Sequence, residues 1–423
     1  FVHRLERVSP PALAAVDDVP FQLAWRRSKG IAGLVFTESE PIQPGPGQVA
    51  VQIRAAGVNF KDVAKVTGLL DDTVVAEAGN LDALGLECAG TVTAVGEGVS
   101  RFAVGDHVMG LARNGFRDVA CIDAGALVHK PEDLDFEQAA TIPLAFLAAD
   151  IALRQRARIE PGERILIHAA AGGLGLAAIQ LAQAAGAEVL ATAGTPEKRA
   201  YLRSLGVAYV GDSRTLDFVD EIRRFTGGTG VDVVLNTLAG DAVAASMSLL
   251  KPVRGRFVDL VNLYENTLPA TGLDRGISFF AFDLESMLRS DMDVATQRLD
   301  ELAGEIRRGQ LAPLPYRAFP VGQVQDAFRS MRRGLHIGKI VLTFEHAHPV
   351  VLPASDKLPI RADGTYLIAG GLGGFGLALA RKLVECGARH LLLAGRHGDA
   401  SAAAHAAVED LRQLIRKVAR TQA

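Results

Sequence analysis

The spacing of apolar residues changes character twice along this chain. From Phe21 to about Lys130, short apolar runs such as Gln48–Ile53, Gly90–Val95 and His107–Met109 are separated by Gly and Pro. Many short strands at close spacing predict a compact, mostly β unit. Beyond Pro143 the pattern differs. Arg164–His168 and Glu188–Ala193 read as buried strands, and the apolar helix Leu174–Ala185 between them stops at Gly186. Val231–Leu235 and Arg256–Leu260 repeat the strand pattern, with helical segments between. That α/β alternation predicts a doubly wound parallel sheet with helices on both faces. Residues 299–311 read as a helix with Leu299, Leu302 and Ile306 on one face, and Ile340–Phe344 as a strand returning to the β unit.

The Pro- and His-containing stretch 346–363 reads as a linker. After it the pattern restarts with strand Tyr366–Ala369, helix Phe375–Cys386, strand His390–Ala394 and one more helical segment. A lone βαβ unit is too small for a full doubly wound domain, so a second, truncated α/β unit is expected. Residues 1–19, with Pro10 and Pro11, read as a linker from an upstream region. The chain opens on Phe and not Met, which reads as a piece of something longer.

Composition narrows the partners. Against 45 Lys and Arg stand 48 Asp and Glu, a formal net charge of −3, which gives no electrostatic footprint for nucleic acid or an anionic membrane. The most apolar region, Leu144–Leu153, follows Pro143 and contains Asp150, so no membrane span is expected. Cys88, Cys121 and Cys386 lie far apart, with no disulfide framework and no zinc spacing. This usage fits a cytoplasmic protein without a metal site, with Cys88 and Cys121 as small buried hydrophobes.

The candidate chemistry lies in the loop Ala170-Ala171-Gly172-Gly173-Leu174-Gly175. Gly173, Gly175 and Ala178 fit G-x-G-x-x-A, between a strand and a helix as that fingerprint requires. Ala171, Gly172, Gly173, Leu174 and Gly175 are therefore expected to cradle a dinucleotide pyrophosphate at a helix N-terminus. A carboxylate for a ribose 2′-hydroxyl is due about 20 residues on. Instead the second strand ends Ala191-Thr192-Ala193-Gly194-Thr195, followed by Lys198 and Arg199. A missing acid beside cations predicts NADPH, with Thr192, Lys198 and Arg214 near its adenosine end and Asn236, at a later strand end, near its nicotinamide. The second loop, Gly370–Gly376, carries the same fingerprint at Gly371, Gly373 and Gly376, with Arg396 in place of the acid.

These residues, with Ala55–Val63, Leu84–Gly90, Val104–Gly110, Val231–Gly240, Phe280–Leu284 and His336–Leu342, resemble the enoyl reductase domains of modular polyketide and fatty acid synthases. Those belong to the zinc-independent branch of the medium-chain dehydrogenase/reductases. Gly364–Arg396 resembles the opening of a ketoreductase domain. The resemblance implies a GroES-like substrate domain (20–143 and 284–345), a Rossmann cofactor domain (144–283) and a ketoreductase fragment (364–423). It implies a neighbouring ketoreductase, an enoyl thioester on acyl carrier protein as substrate, and Leu86 where zinc-containing relatives carry His.

The implied reaction sends a hydride to the β-carbon and a proton to the α-carbon. The family's lysine for the proton falls at Asn262 here, which cannot act as a general acid, while Asp283 matches the family's aspartate. Phe146–Asp150 also lacks hydroxyls that relatives carry. Tyr264 and His168 read as packing or structural residues, and Lys61 with Asp62 as a structural ion pair near the cleft. The readings in competition are an active reductase, a degenerate one serving as scaffold, and a quinone oxidoreductase.

Overall fold

The computed structural model describes residues 19–69, 83–260, 275–282, 284, 292–345, 349–352, 360–395 and 402–421. The chain divides into two compact units, Phe1–Leu352 and Pro353–Ala423.

In the first unit, the strand Gln48–Val58 organises the β half. It pairs antiparallel with Glu87–Val95, Val119–Asp123 and Lys339–Thr343, and register shifts at Ala50/Val51 and Ile53/Ala55 let one long strand serve several neighbours. Tyr316–Pro320 joins beyond Lys339–Thr343, and His107–Leu111 and Leu127–His129 complete the seven-stranded sheet. The return of the chain's late apolar run to the β unit is as expected. A smaller sheet joins Phe21–Trp25, Leu34–Glu38 and the two-residue strand Val351–Leu352, which pairs through Phe36 and Thr37. The stretch expected to be linker therefore contains a strand.

The other half is a parallel sheet, ordered Tyr209–Asp212, Glu188–Ala193, Arg164–Ile167, Val233–Asn236, Arg256–Asp259, Ser278–Ala281. The order reverses beside Arg164–Ile167, the switch point where such sheets bind ligands. Successive residues take opposite faces: Ile165, Ile167, Val233 and Leu235 join the larger core, while Leu166, Val234 and Phe257 pack against Phe218 and Ile222.

Three expectations are corrected. The helix placed over 299–311 runs Met292–Arg307. Strands that the apolar pattern did not mark form at Ser278–Ala281 and Tyr316–Pro320. Phe136–Arg156 is a helical run of 21 residues, long and apolar enough to cross a membrane. Its most apolar 18 residues are 72% buried, and Phe146, Leu147 and Ile151 lie in the core. Its Asp150 is fully buried and held by Arg298, with Nη2 at 2.5 Å and Nε at 2.7 Å, which fixes the helix Met292–Arg307 against it.

In the second unit, Thr365–Ala369 and His390–Ala394 pair in parallel around the helix Gly374–Glu385. Ile368, Ala380, Leu383, Ala388 and Leu411 form its core. Leu367 and Leu392, directly paired, are exposed.

Candidate functional site

The glycine loop leaves the strand Arg164–Ile167 and enters the helix Gly173–Ala184. Two glycines there are demanded by close approach. A Cβ on Gly175 would lie 2.5 Å from Ala170 Cα, and one on Gly173 would lie 2.6 Å from Lys339 Cδ. Gly172 takes an extended N-cap conformation and Leu176 N is the first amide to bond back into the helix, to Gly172 O. The amides of Gly173, Leu174 and Gly175 thus have no acceptor inside the helix, and the bridge between Gly172 and Gly338 sets the Gly173 amide toward Gly338. Ala170 N donates to Thr192 O, and Ala171 O accepts from Gly338 N at 2.8 Å.

Thr192, expected near the cofactor's adenosine end, has its side chain engaged inside the fold. It is fully buried, and its Oγ1 lies 2.8 Å from His168 Nδ1. His168 Nε2 lies 2.8 Å from Ser246 Oγ, which itself donates to Ala242 O. Ser246 then accepts from Nε2–H, and Thr192 donates to Nδ1. Burial without a countercharge pushes the imidazole down to about 3, so it stays neutral. His168 is structural, as expected.

At the end of the second strand, Gly194 leaves room for Arg214, whose Nε would be 3.1 Å from a Cβ there. The exposed Arg214 guanidinium has no hydrogen bond or ion pair among the described residues. Lys198 Nζ donates to Gly334 O at 2.8 Å. Burial, and then the Arg214 charge, lower the Lys198 pKa, which marks two cations held close without an acid between them. Arg199 differs, being bonded to Ala193 O and paired with Asp212 at 2.9 Å. Asn236 is buried, and its side chain ties the following turn: Nδ2 donates to Leu238 O and to Asp259, and Oδ1 accepts from Leu238 N. It shapes the strand end and offers no free polar atom.

Beneath the loop lies a buried cluster that the sequence reading did not assemble. Lys339 Nζ is 2.5 Å from Glu87 Oε1 and 2.7 Å from Asn59 Oδ1. Asn59 Nδ2 also donates to Glu87 Oε1, and Glu87 Oε2 accepts from Leu144 N. Asp62 turns inward, accepting from Asn59 N and Gly85 N, instead of forming the expected ion pair with Lys61. Burial raises its carboxyl to about 6. The quoted segments Ala55–Val63, Leu84–Gly90 and His336–Leu342 each held a member, but only the fold brings them together. Cys88 is a buried free thiol, as expected, its pKa raised by burial, and Cys121 is half-buried.

These residues fit a dinucleotide. Besides the amides at the helix start and the two cations without an acid between them, two buried polar atoms have no partner among the described residues: Thr237 Oγ1, at the strand end after Asn236, and His336 Nδ1. Among the described residues no three His, Cys, Asp or Glu side chains converge on a metal position. Asn262, Tyr264, Asp283 and Arg396 lie outside the described residues.

Comparison with known proteins covers both units. Residues 45–131 match the alcohol dehydrogenase GroES-like domain family, 173–281 the zinc-binding dehydrogenase family and 364–423 the KR domain family. A phenolphthiocerol/phthiocerol polyketide synthase of Mycobacterium tuberculosis is 40% identical over 372 residues, 87% of this chain. The spectinabilin polyketide synthase system protein NorB of Streptomyces orinoci is 42% identical over 377 residues, also 87% of this chain. The chain spans 17% and 16% of those proteins. Among solved structures, CurK enoyl reductase is 39% identical with a TM-score of 0.73, and JamJ enoyl reductase is 37% identical with 0.73. Each match covers 77% of this chain and 99% of that chain. A Pseudomonas syringae quinone oxidoreductase is less similar, 28% identical with a TM-score of 0.69, over the same 77% and 99%.

Proposed function

The chain belongs to the polyketide synthase enoyl reductases of the medium-chain dehydrogenase/reductase fold, followed by ketoreductase sequence, and we propose that it reduces the α,β double bond of an enoyl thioester with NADPH. A nicotinamide cofactor follows from the family; its identity as NADPH is the finer reading. One observation carries that reading: Lys198 and Arg214 flank Gly194 at the strand end where a carboxylate would select NADH. A 2′-phosphate between them would relieve their repulsion and make charge-assisted hydrogen bonds.

When bound, the reduced nicotinamide supplies the hydride to the substrate β-carbon. This chain's residues do the rest. The loop amides at Gly173, Leu174 and Gly175 would hold the pyrophosphate, and the buried Lys339–Glu87–Asn59 cluster fixes the loop from below. Asp283 is put forward as the proton source at the α-carbon, directly or through water, with Asn262 where relatives carry lysine. The substrate is taken to arrive on an acyl carrier protein in the cytoplasm.

The test is NADPH oxidation with a short trans-2-enoyl pantetheine thioester, with NADH in parallel. Turnover with NADPH preference is expected. Tight NADPH binding without turnover would favour the scaffold reading, and reduction of a quinone in preference to the thioester would favour the oxidoreductase reading.

A further inference from the structure

The stretch from Gly334 to Lys339 links the helix Val324–Arg333 to the strand Lys339–Thr343 and touches three parts of the cofactor cleft. Gly334 O receives Lys198, Gly338 N donates to Ala171 O, and Lys339 lies against Gly173. His336 sits midway along it. Its Nδ1 is buried and without a hydrogen-bond partner among the described residues. Folded proteins leave few such atoms, because an unmade hydrogen bond in the interior is costly. The charged groups that act on the ring are both cations, Lys198 from the helix Pro196–Ser204 and Lys339 from the strand behind the loop. Glu87, the nearest acid to Lys339, is already engaged by it. Burial, and then these two charges, push the imidazole down to about 4. A neutral ring with an unfilled nitrogen, acted on by two cations, is complementary to an anion.

We propose that His336 binds a phosphate group of the dinucleotide cofactor through Nδ1, and takes up a proton from solvent as that phosphate arrives. The proposal rests on the reading of this cleft as a nicotinamide dinucleotide site. The phosphate is either the 2′-phosphate beside Lys198 or the pyrophosphate over the glycine loop. In both cases the incoming negative charge offsets the two lysines and favours the imidazolium. The bound-state pKa then lies above that of the free protein, so affinity rises as pH falls through the bound-state value.

The experiment is calorimetric titration of the full chain with NADP⁺ and NAD⁺, which tolerate acid, between about pH 5 and 8 in buffers of different ionisation enthalpy. Wild type is compared with His336→Phe and His336→Gln. Wild type should take up protons on binding. The variants should bind roughly tenfold or more weakly, as for a lost hydrogen bond to a charged group, and lose that uptake. A deficit for NADP⁺ alone assigns the contact to the 2′-phosphate, and a deficit for both nucleotides assigns it to the pyrophosphate. The apo thermal midpoint of His336→Phe should equal or exceed wild type, since the unpaired nitrogen is gone. Variants that bind both nucleotides with wild-type affinity and proton uptake would overturn the proposal, as would a lowered apo midpoint with unchanged binding. A wild type that binds neither nucleotide would overturn the cofactor reading beneath it.

Discussion

Lys339 Nζ and Glu87 Oε1 lie 2.5 Å apart, both side chains withdrawn from solvent, although 252 positions separate them along the chain. The pair joins the β half to the floor of the glycine loop, because the Lys339 stem occupies the space that Gly173 leaves open. A buried pair costs desolvation of both charges, so its removal as a unit is mild and its disruption severe. Glu87→Gln, which leaves Lys339 uncompensated, should lose about 3–5 kcal/mol of stability. The double variant Glu87→Gln with Lys339→Met should recover much of that. Urea denaturation of the three proteins decides it, and equal losses in single and double variants would show that the pair is not the unit of stability.

Gly173→Ala tests the same contact from above. Lys339 is pinned at Nζ by Glu87 and Asn59, so its stem cannot simply swing aside. The loop should shift and dinucleotide affinity fall about tenfold or more, a loss of 1–2 kcal/mol or more in placement of the amides. Fluorescence titration measures it, and wild-type affinity in Gly173→Ala would show that this contact does not set the loop.

Cofactor choice should divide the three basic residues near Gly194. Lys198→Ala and Arg214→Ala should each weaken NADPH by roughly tenfold or more while leaving NADH nearly unchanged. Arg199→Ala should not alter the ratio, because Arg199 is committed to Asp212 and Ala193 O. Parallel titrations with both nucleotides check this.

His168 sets a pH dependence of folding. Its folded pKa is about 3 and its ordinary value 6.5. Between those values the unfolded chain binds more protons than the folded one, so stability rises with pH there. It should be fully present above about pH 6.5 and decline as pH falls toward 3, by several kcal/mol at most. His168→Asn should flatten this slope. Denaturation midpoints measured from pH 4 to 8 supply the comparison.

The proton donor is tested by turnover. Losing a positioned general acid costs about 10²–10⁴-fold, so Asn262→Lys should raise the rate of enoyl thioester reduction. Asp283→Ala should lower it. An Asp283→Ala variant at full speed would leave water as the donor.

What the sequence disclosed follows from locality. The glycine loop was legible because its constraint lies within a few residues: Gly175 must clear Ala170, and strand and helix flank it directly. The parallel strands were legible as continuous apolar runs. Long-range pairings were not. Nothing in the order of residues says that Asn59, Glu87 and Lys339 meet, or that Asp150 is held by Arg298 across 148 positions. Nor does the order of residues say that the Thr192 side chain meets His168 while its carbonyl meets the loop at Ala170. Tyr316–Pro320 escaped notice because its edge position and exposed side chains leave no apolar alternation to read.

The two-residue strand Val351–Leu352 decides where this reductase can be excised for transplantation. A cut after Phe344, at the close of the last long strand, would look natural. It would strip the parallel partner from Phe36 and Thr37 and bare the edge of Leu34–Glu38. An exposed edge of that kind recruits foreign strands. A segment ending beyond Leu352 carries its own edge cover and leaves the ketoreductase sequence from Gly364 on the other side of the cut. The scissile point for a portable reducing module is therefore set by eight residues past the obvious strand, from Glu345 to Leu352.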